Sequence, residues 1–96
     1  MTTEISVDVP VRAEGIAFVE RPGRVALLDP SRPSEAPTIL VGFAADVWMA
    51  IDGIRTIEQI ADHVAPTDLP IEQVRPLVAE VVKGLRGRRL LEDRAW

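Results

Sequence analysis

Cysteine is absent from the 96-residue chain, and with it go disulfides, thiolate nucleophiles and cysteine-based zinc or iron–sulfur sites. Histidine occurs once, as His63 beside Asp62. With no second imidazole and no thiolate to share a metal, a surface or partly packed histidine fits better than a ligand or a general base. No apolar run is long enough to cross a bilayer. The opening Met-Thr-Thr-Glu-Ile lacks the basic and apolar regions of a signal peptide, so a soluble cytoplasmic protein is expected. Positive charge is in deficit, with 11 Lys and Arg against 15 Asp and Glu and a formal net charge of -4. That weakens any function built on neutralising phosphates. No glycine-rich loop precedes a helix in the phosphate-binding pattern, and Gly15, Gly23, Gly42 and Gly53 read as turn glycines. The carboxylates form no spaced pair with an activating neighbour. No catalytic constellation, metal site or cofactor is expected, and the chain reads as a binding module.

What is present is organised around residues 47–64. Ala44, Val47, Trp48 and Ile51 recur at i, i+3, i+4 and i+7, one face of a helix, and Ile57, Ile60, Ala61 and Val64 repeat the spacing after a turn at Asp52-Gly53. Thr56 and Gln59 are placed for a capping box at the start of the second helix. Trp48, inside an apolar stripe, reads as core.

The remainder follows in order. Residues 1–14 are expected to be a flexible arm or, through Ile5, Val7 and Val9, an edge strand ending at Pro10. Residues 16–21 and 24–29 are short runs of strand formers joined by Pro22-Gly23, a hairpin signal. Residues 30–37, with Pro30, Pro33 and Pro37, form a loop that delivers a third strand at Thr38-Ile-Leu-Val41. The first helix is expected over residues 43–51. The second stops near Val64, because Ala65 precedes Pro66. Pro70 suits the first turn of a third helix, whose stripe is Val74, Leu77, Val78, Val81 and Leu85. Pro76 either kinks that helix or marks its true start. Leu90-Leu91 folds back on the core, and residues 92–96 are a tail. The basic residues Lys83, Arg86, Arg88, Arg89 and Arg94 gather late, where cations complement a helix C-terminus.

Two binding modes compete. Three helices with a hairpin outline a winged helix, in which the third helix would read DNA through its early residues. Those are Glu72, Gln73 and Arg75, acidic on balance with Asp68 and Glu80, and the arginines sit at the other end. The other mode is strand addition at residues 38–41, with the apolar stripe of helix three as the wall of a groove. Against it stands the alternative that the loop 30–37 simply shields this edge.

The run from Ala44 through Asp52-Gly53-Ile54-Arg55-Thr56 to Ile60 is similar to the centre of the PqqD-like family. There, small residues, an Asp-Gly turn, Arg/Lys-Thr and an Ile/Val-x-x-Ile helix follow one another. Val78-x-x-Val81-Val82-x-x-Leu85 and Leu90-Leu91 resemble its last helix and close. The resemblance spans about residues 16–91, with residues 15–91 as the domain. It implies an α+β, winged-helix-like fold, a three-stranded antiparallel sheet followed by three helices. It also implies a non-catalytic element that binds the leader of a ribosomally made precursor peptide. That element delivers the peptide to a separate enzyme such as a radical SAM protein, a leader protease or a cyclase. By position, Thr38, Ile39, Leu40 and Val41 would pair with the leader. Val74, Leu77, Val78 and Val81 would line the apolar wall, and Arg75 would meet an acidic leader side chain. On this reading Leu40→Asp or Val78→Asp abolishes binding in a folded domain. Nucleic acid and membrane are not expected partners, and a monomer or weak dimer is. Two features depart from the family: Leu40 is followed by Val41 where many members carry a Leu-Asn pair, and the loop 30–37 is longer than a tight hairpin.

Overall fold

In the computed structural model, which describes residues 8–92, three strands precede three helices. Strands β1 (Ala17–Arg21), β2 (Arg24–Leu28) and β3 (Thr38–Val41) form an antiparallel sheet in the order β1-β2-β3. Pro22-Gly23 turns the chain between Arg21 and Arg24, which face each other across the first ladder. Gly23 has φ 74°; with proline ahead of it, this is the residue order of a type II turn. The third strand pairs with the second through Val25↔Leu40 and Leu27↔Thr38. Val25 and Leu27 are buried, so Thr38 and Leu40 share the inward face of the sheet and Ile39 and Val41 the outward one.

Helices α1 (Phe43–Ala50), α2 (Ile57–Val64) and α3 (Ile71–Gly87) cover the inward face. Gly42 makes the join between β3 and α1 at φ 58°, ψ -126°, a conformation that a side chain strongly disfavours. Its N–H donates to the Gly23 carbonyl at 2.9 Å, tying the helix entrance to the hairpin. The core gathers Val25 and Leu27 from the sheet, Val47, Trp48 and Ile51 from the first helical segment, and Ile60 and Ala61 from the second. Val74, Val78, Val82 and Leu85 join from α3, with Leu90 and Leu91 folded back as expected.

The Asp52-Gly53-x-Arg55-Thr56 segment is a folding device. The Asp52 carboxylate accepts from the backbone N–H of Ile54 at 2.9 Å and of Arg55 at 2.8 Å, and these bonds hold its pKa below the usual aspartate value. Gly53 takes φ 81°. Arg55 reaches back to the Ala50 carbonyl at 3.0 Å, satisfying an acceptor at the end of α1. Thr56 and Gln59 complete the capping box in both directions.

Three expectations are refined. Pro76 lies inside α3, which starts earlier, at Ile71, with Pro70 as its N-cap. Of the proposed N-terminal arm, Ile5 and Val7 lie outside the described residues, and Val9 is in no strand. Residues 8–13 are nevertheless tied down. Asp8 takes a bidentate bond from Arg86 at 2.6 and 2.8 Å, its carbonyl accepts from the Ile57 N–H, and backbone bonds link Val11 to Glu92 and Ala13 to Leu90. The Arg12 guanidinium lies over the rings of Phe18 and Trp48, 4.9 and 4.6 Å from their centroids, and donates to the Trp48 carbonyl at 2.7 Å. These anchors involve charge pairing and cation–π stacking, which apolar alternation does not report.

Candidate functional site

The order of the sheet leaves one long side of β3 without a partner among the described residues. Among the described residues no backbone hydrogen bond reaches β3 except those of the β2 ladder. α3 packs chiefly on α1 and α2, so it stands off from β3 and leaves a cleft of about 280 Å³ lined by Thr38, Ile39, Leu40, Ala44, Glu80, Val81, Gly84, Leu85 and Arg88, with Pro37 at its end. The cleft therefore has a free strand edge on one side and a helix on the other. Unpaired N–H and C=O groups along such an edge are a template for an extended chain.

The 30–37 loop does not cover this edge. It is folded on itself: Ser31 donates to Asp29 through both N–H, at 2.9 Å, and hydroxyl, at 2.6 Å. These two bonds, side chain first, hold the Asp29 carboxyl below its ordinary pKa. Arg32 bridges Asp29 at 3.8 Å and Glu35 at 3.1 Å. Instead of blocking the cleft, the loop extends it. A second cavity of about 530 Å³ runs on from Thr38 and Arg88, bounded by Asp29, Arg32, Glu35 and Ala36 on one side and Gly87, Arg89 and Leu90 on the other.

The expected peptide-contacting residues divide. Thr38, Ile39, Leu40 and Val81 line the cleft. Val41 stands at the same strand edge, 63% exposed on the outward face. Leu77 is 47% exposed on α3, one turn before Val81. Val74 and Val78 require correction as wall residues: both are 0% exposed and belong to the core. In α3 the stripe that meets the core and the face that meets the cleft lie side by side, and an apolar pattern read at i, i+3 and i+4 merges them. Val78→Asp would consequently bury an unpaired carboxylate and unfold the domain, contrary to the expectation of a folded, non-binding variant. Arg75 points to α2, 3.6 Å from Glu58. Ala44, Glu80, Gly84 and Arg88 were not foreseen at the site, and Leu85, expected only as part of the apolar stripe, borders it from the core at 3% exposure. The one signal for them in the sequence was Gly84, a glycine inside a helical stretch with no turn to make.

No curated protein matches the chain. Among solved structures it is similar to one described as "TbiB1 in Complex with the TbiA(beta) Leader Peptide", with a TM-score of 0.76 and 17% identity, covering 90% of this chain and 99% of that one. At that identity the likeness concerns the fold. The family described as coenzyme PQQ synthesis protein D (PqqD) matches residues 25–91, from the second strand through the Leu90-Leu91 close, and the chain belongs to that family.

Proposed function

We propose that this protein binds the leader region of a ribosomally synthesised precursor peptide as an added strand on β3, and presents the peptide to a separate modifying or processing enzyme. The observation that carries this reading is the free β3 edge facing a cleft walled by α3. Main-chain bonds to the edge would supply affinity, and the apolar surfaces of Leu40, Ala44 and Val81 would receive alternate side chains of the leader. Membership of the PqqD family and a fold shared with a protein solved with a leader peptide support it. The role is non-catalytic and cytoplasmic: holding the leader raises the local concentration of the remainder of the peptide at the partner's active site.

Recognition of DNA through a winged helix is disfavoured. The exposed residues that open α3 are Glu72, Gln73 and Arg75, and the one cation among them lies against Glu58. The test is fluorescence anisotropy with labelled peptides encoded by short reading frames beside the gene. Saturable binding to the N-terminal part of one peptide, changing little between low and moderate salt, is expected. Binding to a DNA duplex that falls steeply with salt, with no peptide bound, would refute the proposal.

A further inference from the structure

Two positions at the end of α3 hold the residue that local backbone preference disfavours. Gly84 sits in the interior of α3, where glycine is less stable than alanine because it gives up more backbone freedom. Nothing inside the protein requires it: a Cβ built there meets no atom within 4 Å, and no positive φ is involved. Arg89 shows the reverse. It follows the C-cap of α3 at φ 62°, with the Arg89 N–H bonded to the Arg86 carbonyl at 3.0 Å and the Leu90 N–H to the Leu85 carbonyl at 2.9 Å. That pair of bonds is a Schellman closure, whose left-handed position favours glycine. Gly84 lines the cleft and Arg89 the cavity that continues it. Local rules broken without internal compensation mark sites under a separate demand.

Glu80, Gly84 and Arg88 form a single i, i+4 row on the cleft face of α3. Successive members advance by about 6 Å along the helix. Alternate residues of an extended strand advance by about 6.6 Å and point to the same side. A strand lying along the row would therefore present consecutive same-side residues to Glu80, Gly84 and Arg88 in turn. The notch at Gly84 has an apolar surround of Leu40, Ala44, Val81 and Leu85. Arg88 has no ion-pair partner among the described residues. The cavity beyond it carries three arginines (Arg32, Arg88 and Arg89) against two carboxylates (Asp29 and Glu35), and Arg32 is engaged with both of these.

Resting on the leader-binding reading above, we infer that the Glu80–Gly84–Arg88 row sets leader specificity. The bound segment places a large apolar side chain in the Gly84 notch. Two residues further along, toward the Thr38 end of β3, it places an acidic side chain at Arg88 and Arg89. Glu80 disfavours an acidic residue on the opposite side of the apolar one.

The test is selection of randomised short peptides, displayed on their encoding mRNA, against the intact protein and against Arg88→Glu, Gly84→Leu and Gly84→Ala. The intact protein should enrich a large apolar residue with an acid two positions away. Arg88→Glu should weaken the best selected peptide by roughly fivefold, the upper range for an exposed pair, and lysine in place of the peptide's acid should restore binding. Gly84→Leu should remove the preference for a large apolar residue. Gly84→Ala should raise the melting temperature while weakening binding, which separates the notch from a folding requirement. Peptides enriched without this spacing, or a selection unchanged by Arg88→Glu and Gly84→Leu, would overturn the row as the reader while leaving leader binding in place. Enrichment of no peptide by any of the four proteins would refute leader binding itself, and this inference with it.

Discussion

Leu77 and Val78 are neighbours in α3, one exposed a turn before the cleft residue Val81 and the other in the core, and truncating each measures where the core ends. Val78 is 0% exposed, while Leu77 is 47% exposed. Val78→Ala removes two buried methyl groups, about 0.8 kcal/mol each by transfer. The gap left behind adds to this, bringing the cost to about 2–3 kcal/mol. Domains of this length are stable by roughly 5–14 kcal/mol, so the loss is a large fraction, equivalent to a fall in Tm of about 10–20 °C. Leu77→Ala should stay within about 0.5 kcal/mol, as for a surface change. Urea unfolding followed by tryptophan fluorescence reads both variants, since Trp48 is buried in the same core. Leu77→Asp should then weaken leader binding with an unchanged circular dichroism spectrum. Equal destabilisation by the two alanine variants, or a stable Val78→Ala, would refute the assignment of buried and exposed faces on α3.

Two further outcomes follow from Arg89, which closes α3, and from Asp8, which Arg86 holds. Arg89→Gly should stabilise the domain by about 1 kcal/mol in thermal unfolding, because the left-handed position penalises a Cβ, and it should weaken binding of an acidic leader. Asp8, held by Arg86, has its pKa lowered below the ordinary 3.8, the hydrogen bonds to Arg86 outweighing the cost of partial burial. Its contribution is therefore complete above about pH 4 and is lost as pH falls through the depressed folded value. Wild type and Asp8→Asn should differ in urea midpoint at neutral pH and converge in strong acid; a constant gap would show that the pair does not anchor the N-terminal segment.

The element order was legible in the sequence because each element carries its own punctuation. Pro22-Gly23, Asp52-Gly53, the Thr56–Gln59 capping box and Ala65-Pro66 act through one or two bonds between near neighbours, and such bonds can be read from residue order alone. The free edge of β3 was legible too, since a short strand that arrives from a loop and leaves into a helix has few partners. The wall of the cleft was not. α3 carries apolar residues over a wide arc, and which of them meet solvent depends on how α1 and α2 pack against it, a long-range matter. Val74 and Val78 fell on the core side for this reason, and the cleft face proved to be mostly small or charged. The anchoring of residues 8–13 escaped as well, because Asp8–Arg86 joins groups 78 positions apart.

The two parts of the chain also differ in what their recognisable residues do. Each residue of the Asp52-Gly53-x-Arg55-Thr56 motif except the variable one has a bond or a backbone conformation to account for it. The segment that most resembles the family is thus accounted for by the fold, and its substitution should be felt as lost stability. The cleft is the converse. Beyond the backbone bond by which Arg88 closes α3, its side chain has no hydrogen bond or ion pair among the described residues. Nothing packs where a Gly84 side chain would stand, and Arg89 sits where glycine would be more stable. A fold kept by short-range bonds at the α1–α2 turn leaves the face of α3 free to vary at little cost in stability. On the proposed leader-binding reading, one frame would then carry different peptide preferences. Variation in leader choice should accordingly be concentrated in the row at 80, 84 and 88, while the turn that identifies the family stays silent about the ligand.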